Sequence, residues 1–476
     1  MTANLDQIEA LKPILMALPE MDGERDDPER EMTALLKRLA SRPVPTGRLA
    51  RLWSLSSLQL KAVSRLGAAW VQGAFRSQDV KERVKNEARV RAAFDVLSGM
   101  AYLRGAAAKI GQALALYPEV VPEQVGDVLG ALQFQAPPMH FSLLRELVRD
   151  ELGADPEELF AEFETEAFAA ASLGQVHRAR LTSGERVAVK IQYPNIARTI
   201  ESDLANLKAI MTPMRLTKNW DSLVTQLDDV RVTLVAETNY SREAEYGARA
   251  RVALADYDGV VVPKVIAERS SDRVLTTEFL DGVHLDAYLA TNPSQDDRDQ
   301  FGARLFGSSA RLFYGARMVH ADPHPGNYLF MPDGRLGLID FGCCRVFDEA
   351  EWALIELGTE ALVKDDDAIL DRAILAGTGA EEGFYSAEQL ADIRGTVDWL
   401  WEAIRKDDVF DFDDAYMRRG IEAYRKATAS GCTRALPLNT WTNRMFWGCR
   451  SLLHRLRPLV NMRRVHDGEL ERAGLA

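Results

Sequence analysis

Runs of apolar and polar residues divide the chain into helical outer parts and a strand-rich middle. Helical spacing of apolar residues predicts helices over residues 80–116, 141–153, 195–250 with a break near 212–213, 284–291 and 296–318. Residues 349–464 are also predicted to be helical, with breaks near 377–379 and 430–431. Short apolar runs predict strands at residues 176–181, 186–192, 260–266 and 273–277. The turn Thr182-Ser183-Gly184 separates the first two strands, so we expect a β-hairpin there. The pattern therefore predicts an α+β fold.

The segment 49–70 carries apolar side chains on one face of a predicted helix and basic side chains opposite. The apolar face contains Leu49, Leu52, Trp53, Leu60, Val63, Leu66 and Trp70. Such a helix suits a membrane surface, where apolar bulk is combined with basic residues. The same pattern also fits a helix that packs on the rest of the protein. We prefer this second interpretation because most apolar stripes on helices belong to a protein core.

Composition and charge exclude several classes of protein. The 476 residues include 58 basic and 71 acidic side chains, a net charge of −13, which argues against nucleic acid as a partner. The four cysteines lack the paired spacing of metal motifs and read as reduced thiols. The sequence has no 18-residue apolar run and no signal-peptide pattern at its start. We expect a cytoplasmic protein, with any membrane contact peripheral and at the inner face.

Three oxygen-bearing side chains stand at the spacing that kinases use for phosphoryl transfer. Asp322 is followed five positions later by Asn327, and Asp340 begins an Asp-Phe-Gly triplet. In this arrangement Asp322 orients or deprotonates the acceptor, while Asn327 and Asp340 hold Mg²⁺ on the phosphates of ATP. An upstream apolar strand ends in Lys190, whose amine would pair with the α- and β-phosphates.

A kinase lysine needs a glutamate on the adjacent helix to hold it. We choose Glu237 for this role, with Glu243 and Glu201 as competitors. His320 and His324 lie four positions apart beside Asp322, but two prolines interrupt the segment, so hydrogen bonds that brace the loop are expected rather than metal binding.

Two further segments are expected to contact the nucleotide. The loop Ala169-Ala170-Ala171-Ser172 stands where a kinase carries its glycine-rich turn. Small side chains let backbone N–H groups approach phosphates, but alanine lacks the backbone freedom of glycine, so this loop should be stiffer. The linker that begins at Glu278 and contains Leu280 follows a predicted strand, and its backbone is expected to meet the adenine edge.

Together with these motifs, Lys109-Ile110-Gly111-Gln112 matches a KxGQ motif. The chain thus resembles the UbiB family of atypical kinases, also called the AarF or ABC1 family, from about residue 95 to at least 350. The resemblance implies an atypical protein-kinase-like fold of two lobes, a small β-sheet N-lobe and a helical C-lobe, with an N-terminal helical KxGQ extension. The implied division is an N-terminal extension at 1–90, the KxGQ extension at 91–138, the N-lobe at 139–280 and the C-lobe at 281–476.

In that family the KxGQ extension folds over the active site, so Lys109 and Gln112 are expected at the nucleotide. Glu237 matches the first residue of the family's ExD motif, but the third residue is Asn239, which lacks the negative charge of aspartate. Any contact between this position and Lys109 should be weaker. Some bacterial members end in a membrane hairpin, whereas residues 450–476 here carry six arginines and cannot span a bilayer.

The resemblance implies an ATPase or phosphotransferase that binds MgATP and serves isoprenoid quinone biosynthesis. Its partners would be the nucleotide, an isoprenoid lipid or quinone intermediate, and quinone-biosynthesis enzymes. A nucleotide-binding scaffold without significant turnover is one alternative, and a small-molecule or protein kinase is another. A protein kinase would carry an activation segment ending in an Ala-Pro-Glu-like motif after Asp340, and this chain has neither its length nor its motif.

Overall fold

The computed structural model of the chain describes residues 139–171, 173–211, 220–430 and 437–476. Several predictions fall outside these residues and concern the extension 1–90 with its amphipathic helix 49–70, the KxGQ extension 91–138 with Lys109 and Gln112, and Ser172.

A five-stranded sheet forms the strand-rich middle of the chain. Its strands are β1 (Glu162–Phe163), β2 (Ala169–Ala171), β3 (Gly174–Arg180), β4 (Arg186–Gln192) and β6 (Val274–Glu278), while β5 (Val260–Val261) pairs elsewhere. The order is β1-β3-β4-β6, and β2 also pairs with β3. The predicted turn between β3 and β4 is confirmed, since Leu181 N–H donates to the Glu185 carbonyl at 2.9 Å and Gly184 has φ +101°. Glycine adopts this positive φ without steric cost.

Two helices precede this sheet in the sequence, and three lie between its strands β4 and β6. They are α1 (Phe141–Leu152), α2 (Pro156–Leu159), α3 (Ile196–Met211), α4 (Trp220–Ala236) and α5 (Tyr240–Ala253). The helical stretch predicted at 195–250 is therefore three helices, and the predicted break near residue 212 falls among residues outside the described ranges.

The C-terminal part begins with α6 (Leu285–Ala290) and α7 (Gln295–Ala310), and α7 continues into a π-helical turn at Arg311–Gly315. Four short strands follow, namely β7 (Met318–His320), β8 (Tyr328–Phe330), β9 (Leu336–Leu338) and β10 (Cys344–Val346). Strand β10 pairs antiparallel with β7, and β9 lies between β5 and β8. These two small sheets hold both ends of the segment that carries Asp322 and Asn327.

The remaining chain is mainly helical. It comprises α8 (Glu349–Lys364), α9 (Asp367–Thr378), α10 (Ala387–Arg405), β11 (Phe410–Asp411), α11 (Asp414–Ala429), α12 (Pro437–Leu456), β12 (Leu459–Val460) and α13 (Met462–Ala473). Asp348 begins α8 with a capping box to Glu351, which satisfies backbone N–H groups at the helix start. In the described ranges, no helix is long and apolar enough to cross a membrane.

The hydrophobic core of this part lies beneath the strands that carry the kinase motifs. One cluster contains Met318, Tyr328, Leu338 and Phe341 together with Leu452 and Leu453 of α12. A neighbouring cluster contains Val319, Ala321 and Cys343 with Met445. Cys343 and Cys344 are buried, and burial raises the pKa of the Cys344 thiol well above its ordinary value. Both cysteines pack in the hydrophobic clusters.

The described residues belong to two compact units. One contains residues 139–147, 165–176 and 191–238, and the other contains residues 148–164, 177–190 and 239–476. Lys190, Asp322, Asn327 and Asp340 all belong to the second unit. The lobe boundary predicted at residue 280 stays a prediction.

A buried ion pair joins the π-helical turn to the last helix. Arg311 donates to both carboxylate oxygens of Glu469, and these side chains are 9% and 8% exposed. Arg311 also contacts Asp256 at 2.8 Å.

We expect Glu469→Ala to lower the free energy of unfolding by about 3 kcal/mol, because it leaves a buried guanidinium with one exposed partner. Urea denaturation measures this change. Arg472→Ala, which removes an exposed ion pair to Asp256, is the control and should cost less than about 1 kcal/mol. Equal losses in the two variants would contradict the assignment of a buried charge pair.

Candidate active site

Lys190 lies at the centre of a cluster of charged side chains. In strand β4, Val187 and Val189 point into the core, so the alternation of the strand directs Lys190 to the other face. Its Nζ atom lies 2.8 and 2.9 Å from the two carboxylate oxygens of Glu243 and 2.8 Å from Oδ2 of Asp340. The amine also lies 5.0 Å from the ring centroid of Tyr240. One cation thus bridges two carboxylates.

Burial and charge act in opposite directions on Lys190. Burial lowers the pKa of this amine, but the negative charges of Asp340 and Glu243 outweigh burial and hold the pKa well above its ordinary value. Lys190 is therefore a permanent cation at physiological pH. Lys190 contributes a positive charge to this contact, and Glu243 and Asp340 contribute the two carboxylates.

The carboxylate partner of Lys190 is Glu243, one of the two competitors in the sequence analysis. The choice of Glu237 for this contact is wrong. Glu237 follows the end of α4, whereas Glu243 lies in the first turn of α5 and its side chain is 3% exposed. Several glutamates stand at helical spacing in this part of the sequence. Glu243 contacts Lys190 of β4 because α5 begins at Tyr240 and places Glu243 in its first turn.

Asn239 caps the N-terminus of α5. Its side chain accepts a hydrogen bond from the backbone N–H of Arg242 at 2.9 Å. Asparagine and aspartate are both strong N-cap residues. Asparagine at this position of the ExD motif therefore still caps the helix that carries Glu243. An Asn before a helical segment is a recognised N-cap signal in a sequence, so this role could have been predicted.

The loop between β7 and β8 carries Asp322 and Asn327 in a closed hydrogen-bonded turn. Asn327 Nδ2 donates to the Asp322 carbonyl at 2.7 Å and to Asp322 Oδ2 at 3.2 Å. The His324 N–H donates to the same carbonyl at 2.8 Å, and the Asn327 N–H donates to the His324 carbonyl at 2.9 Å. The structure thus joins the two predicted residues directly.

Asp340 is held next to this loop by the backbone. The Ile339 N–H donates to the Asn327 carbonyl at 3.1 Å, and the Gly342 N–H donates to Asp340 Oδ1 at 3.0 Å. Buried His320 bonds the Asp340 carbonyl through Nε2 at 2.9 Å, and His324 Nδ1 accepts from the Gly326 N–H at 3.1 Å. The prediction that these histidines brace the loop is confirmed.

The oxygen atoms of Asn327 and Asp340 suit a hard divalent cation such as Mg²⁺. The amide nitrogen of Asn327 is engaged by Asp322, and within the described residues its side-chain oxygen accepts no hydrogen bond. No group of three or more His, Cys, Asp or Glu in the described ranges is arranged to hold a metal alone. A cation here would need phosphate oxygens and water as further ligands, as Mg²⁺ sites on nucleotides do.

The two other predicted nucleotide-binding segments have defined local structure. Ala169, Ala170 and Ala171 form β2, which pairs antiparallel with β3 from Ala169 opposite Val176 to Ala171 opposite Gly174. The expected stiffness of the alanine loop stays a prediction.

The linker after β6 is fixed at its start. The Phe279 N–H donates to the Arg186 carbonyl at 3.0 Å, and the Glu278 N–H donates to the Lys264 carbonyl at 2.8 Å. A Cβ atom on Gly337 would lie 3.1 Å from Leu280 Cδ1, so the glycine in β9 lets the linker approach closely. Nucleotide contacts of Glu278, Leu280 and the alanines stay predictions.

The contact between Lys190 and Glu243 gives a test of the site. We expect Glu243→Gln to lower the pKa of Lys190 and to lower the free energy of unfolding by about 2 kcal/mol, since Asp340 still holds the amine. Chemical denaturation measures the stability. Glu245→Gln, on the exposed face of the same helix, is the matched control and should change little.

The pH dependence follows from the raised pKa of Lys190. A cation whose pKa is raised on folding contributes fully below its unfolded value, here 10.5, and loses that contribution only as pH rises through the folded pKa. The stability difference between wild type and Glu243→Gln should therefore be constant around neutral pH and shrink only in strongly alkaline solution. A difference that disappears near neutral pH would contradict the ion pair.

Comparisons with known proteins agree with this geometry. The uncharacterized protein slr0889 of Synechocystis is 38% identical over 247 residues, 49% of this chain and 60% of that protein. The mitochondrial atypical kinase coq-8 of Caenorhabditis elegans is 31% identical over 325 residues, 66% of this chain and 42% of that protein. The match therefore spans less than two thirds of the length of either relative.

A solved structure of Rv3197 from Mycobacterium tuberculosis, in complex with erythromycin, has 26% sequence identity and a TM-score of 0.53. The likeness covers 81% of this chain and 97% of that one. The family model described as the ABC1 atypical kinase-like domain matches residues 131–373. This range includes Lys190, Glu243, the Asp322 loop and Asp340, and the predicted α+β kinase-like fold class is confirmed. The chain belongs to the ABC1 family of atypical kinases, the family also called UbiB.

Proposed function

We propose that the chain binds MgATP around Lys190 and uses it for hydrolysis or phosphotransfer. The observation that carries this proposal is the bridge of Lys190 between Glu243 and Asp340, beside the closed turn of Asp322 and Asn327. A polyphosphate beside the Asp340 carboxylate would meet a like charge, so a divalent cation between the two would be needed for binding. This requirement agrees with the oxygen donors of Asn327 and Asp340.

Each side chain has a role that follows from its contacts. Lys190 binds phosphate oxygens, and Glu243 keeps its amine in place. Asn327 and Asp340 would hold Mg²⁺, which neutralises phosphate charge when it is bound. Asp322 orients water or an acceptor hydroxyl and takes its proton on the carboxylate, and the hydrogen bond from Asn327 fixes the direction of that carboxylate.

The short connection after Asp340 favours a non-peptide acceptor. The chain passes from Gly342 into β10 at Cys344 and begins α8 at Glu349. A protein kinase builds its peptide-binding surface from a longer activation segment in this place. Water or a small acceptor therefore fits this chain better than a protein side chain.

The reaction is proposed to serve isoprenoid quinone biosynthesis, on lipid intermediates or on the enzymes that process them. The ubiquinone association of the UbiB family supports this pathway, and so does the kinship with the atypical kinase coq-8. Such substrates partition into membranes, so the proposal includes peripheral contact at the inner face of the membrane.

A nucleotide-binding scaffold without significant turnover is the second candidate. The contact between Lys190 and Asp340 favours it, because Asp340 Oδ2 is engaged by the lysine and the same carboxylate must serve the cation. A cluster that keeps this contact with nucleotide bound would bind without reacting.

The first experiment is phosphate release from MgATP by the purified protein, with and without liposomes that carry a quinone head-group analogue. We expect release in the wild type, and a fall of about 10²-fold or more in Asp340→Asn because a charge that stabilises the transition state is lost. Asp333→Asn is the matched control, since this exposed aspartate pairs with Arg335 in the turn between β8 and β9.

Nucleotide binding without phosphate release under any condition would reject turnover and would support the nucleotide-binding scaffold. Transfer of label from γ-labelled ATP to protein would show a protein acceptor and reject the preference for water or a small molecule. Release that is equal in wild type and Asp340→Asn would remove Asp340 from the site.

A further inference from the structure

Helix α12 lies outside the residues 131–373 that the family model matches, yet it packs directly under the loop of Asp322. Met445 belongs to the same buried cluster as Val319 and Ala321, which precede Asp322 in the chain. Cys449 and Leu452 share the other cluster with Tyr328, which follows Asn327. The two ends of the loop therefore rest on one face of α12.

Gly448 is the point of closest approach between α12 and the loop. A Cβ atom on Gly448 would lie 2.4 Å from Cγ, 2.9 Å from Cδ and 3.1 Å from the carbonyl oxygen of Pro323. Carbon atoms in contact are normally about 3.5–4.0 Å apart, so an alanine would force a displacement. The pyrrolidine ring is fused to the backbone, and it cannot move aside as a flexible side chain does.

Buried contacts hold α12 in place next to Gly448. Immediately after Gly448, Cys449 and Arg450 are each 5% exposed. The guanidinium of Arg450 donates from Nε to the Tyr416 hydroxyl at 2.9 Å, and it also bonds the carbonyls of Leu400 and Phe446. These contacts oppose a movement of α12, so a displacement at Gly448 acts on Pro323.

A displacement of Pro323 also displaces Asp322. The two residues are adjacent, and a proline restricts the backbone of the residue before it. The carbonyl of Asp322 accepts hydrogen bonds from the His324 N–H and from Asn327 Nδ2, so the turn shifts as one piece. A misplacement of about 1 Å at a reacting group can cost about 10²-fold in rate.

We infer that Gly448 is a positioning residue for Asp322: the missing side chain lets α12 support the catalytic loop through Pro323. This inference rests on the proposed function for its kinetic consequence. It extends the catalytic machinery to residues 437–456, beyond the matched domain.

The test is Gly448→Ala in the full chain, with phosphate release from MgATP as the readout. We expect kcat to fall about 10²-fold and KM for ATP to rise by a smaller factor, because Lys190, Glu243 and Asp340 keep their contacts while Asn327 moves with the turn. Pro323→Ala removes the two ring carbons nearest the new methyl group. The double variant should therefore recover both folding and turnover relative to Gly448→Ala.

Gly302→Ala is the matched control. Gly302 lies in α7, and a Cβ there would meet Cβ and Cγ of Pro458 at 2.4 and 2.5 Å, a clash of the same kind against a proline outside the loop. This variant should lose stability and keep kcat. Equal losses of kcat in folded Gly302→Ala and Gly448→Ala would overturn the inference, and so would the absence of recovery in the double variant.

Hydrogen exchange separates this inference from the proposed function. Gly448→Ala should increase exchange over residues 320–328, and Gly302→Ala should not. This difference in exchange is expected even if the wild type binds nucleotide but releases no phosphate. Absence of phosphate release would reject the proposed turnover and leave the positioning role of Gly448 untouched. Unchanged exchange in a folded Gly448→Ala would overturn the positioning role.

Discussion

The charged bridge from Lys190 to Glu243 and Asp340 constrains three separate parts of the chain at once. It joins strand β4, helix α5 and the segment after β9, so each of these elements must be in place for the other two to present their charges. Lys190 and Glu243 are largely buried, so removal of either one leaves the other with a charge that water cannot easily reach. The N-cap by Asn239 and the hydrogen bond from His320 to the Asp340 carbonyl fix two of the three positions.

The same bridge sets the chemistry of the site. A lysine kept charged by two carboxylates is suited to phosphate, but the Asp340 carboxylate beside it repels that ligand unless a divalent cation lies between them. Asp340 serves the lysine in the structure and would serve the cation in the proposed complex. Whether Asp340 contacts Lys190 or the cation when nucleotide is bound distinguishes an enzyme from a nucleotide-binding scaffold.

The loop of Asp322 depends on contacts from both sides. Its turn is closed by Asn327 and His324, its ends are held by β7 and β8, and its lower face rests on α12 through Pro323 and Gly448. The family model matches residues 131–373 and ends before α12. The loop that carries the kinase motifs is therefore supported by a helix outside the matched domain.

The sequence by itself determined the residue types and their order: the lysine at the end of an apolar strand, the Asp322–Asn327 spacing, Asp340 and the hairpin before Lys190. These depend on local geometry and on the fixed requirements of phosphoryl transfer. Only the tertiary structure decided that Glu243 rather than Glu237 meets Lys190, because several glutamates share helical spacing and the start of α5 selects among them. Likewise only packing revealed Gly448, since a missing side chain has meaning only when its neighbour in space, Pro323, is known.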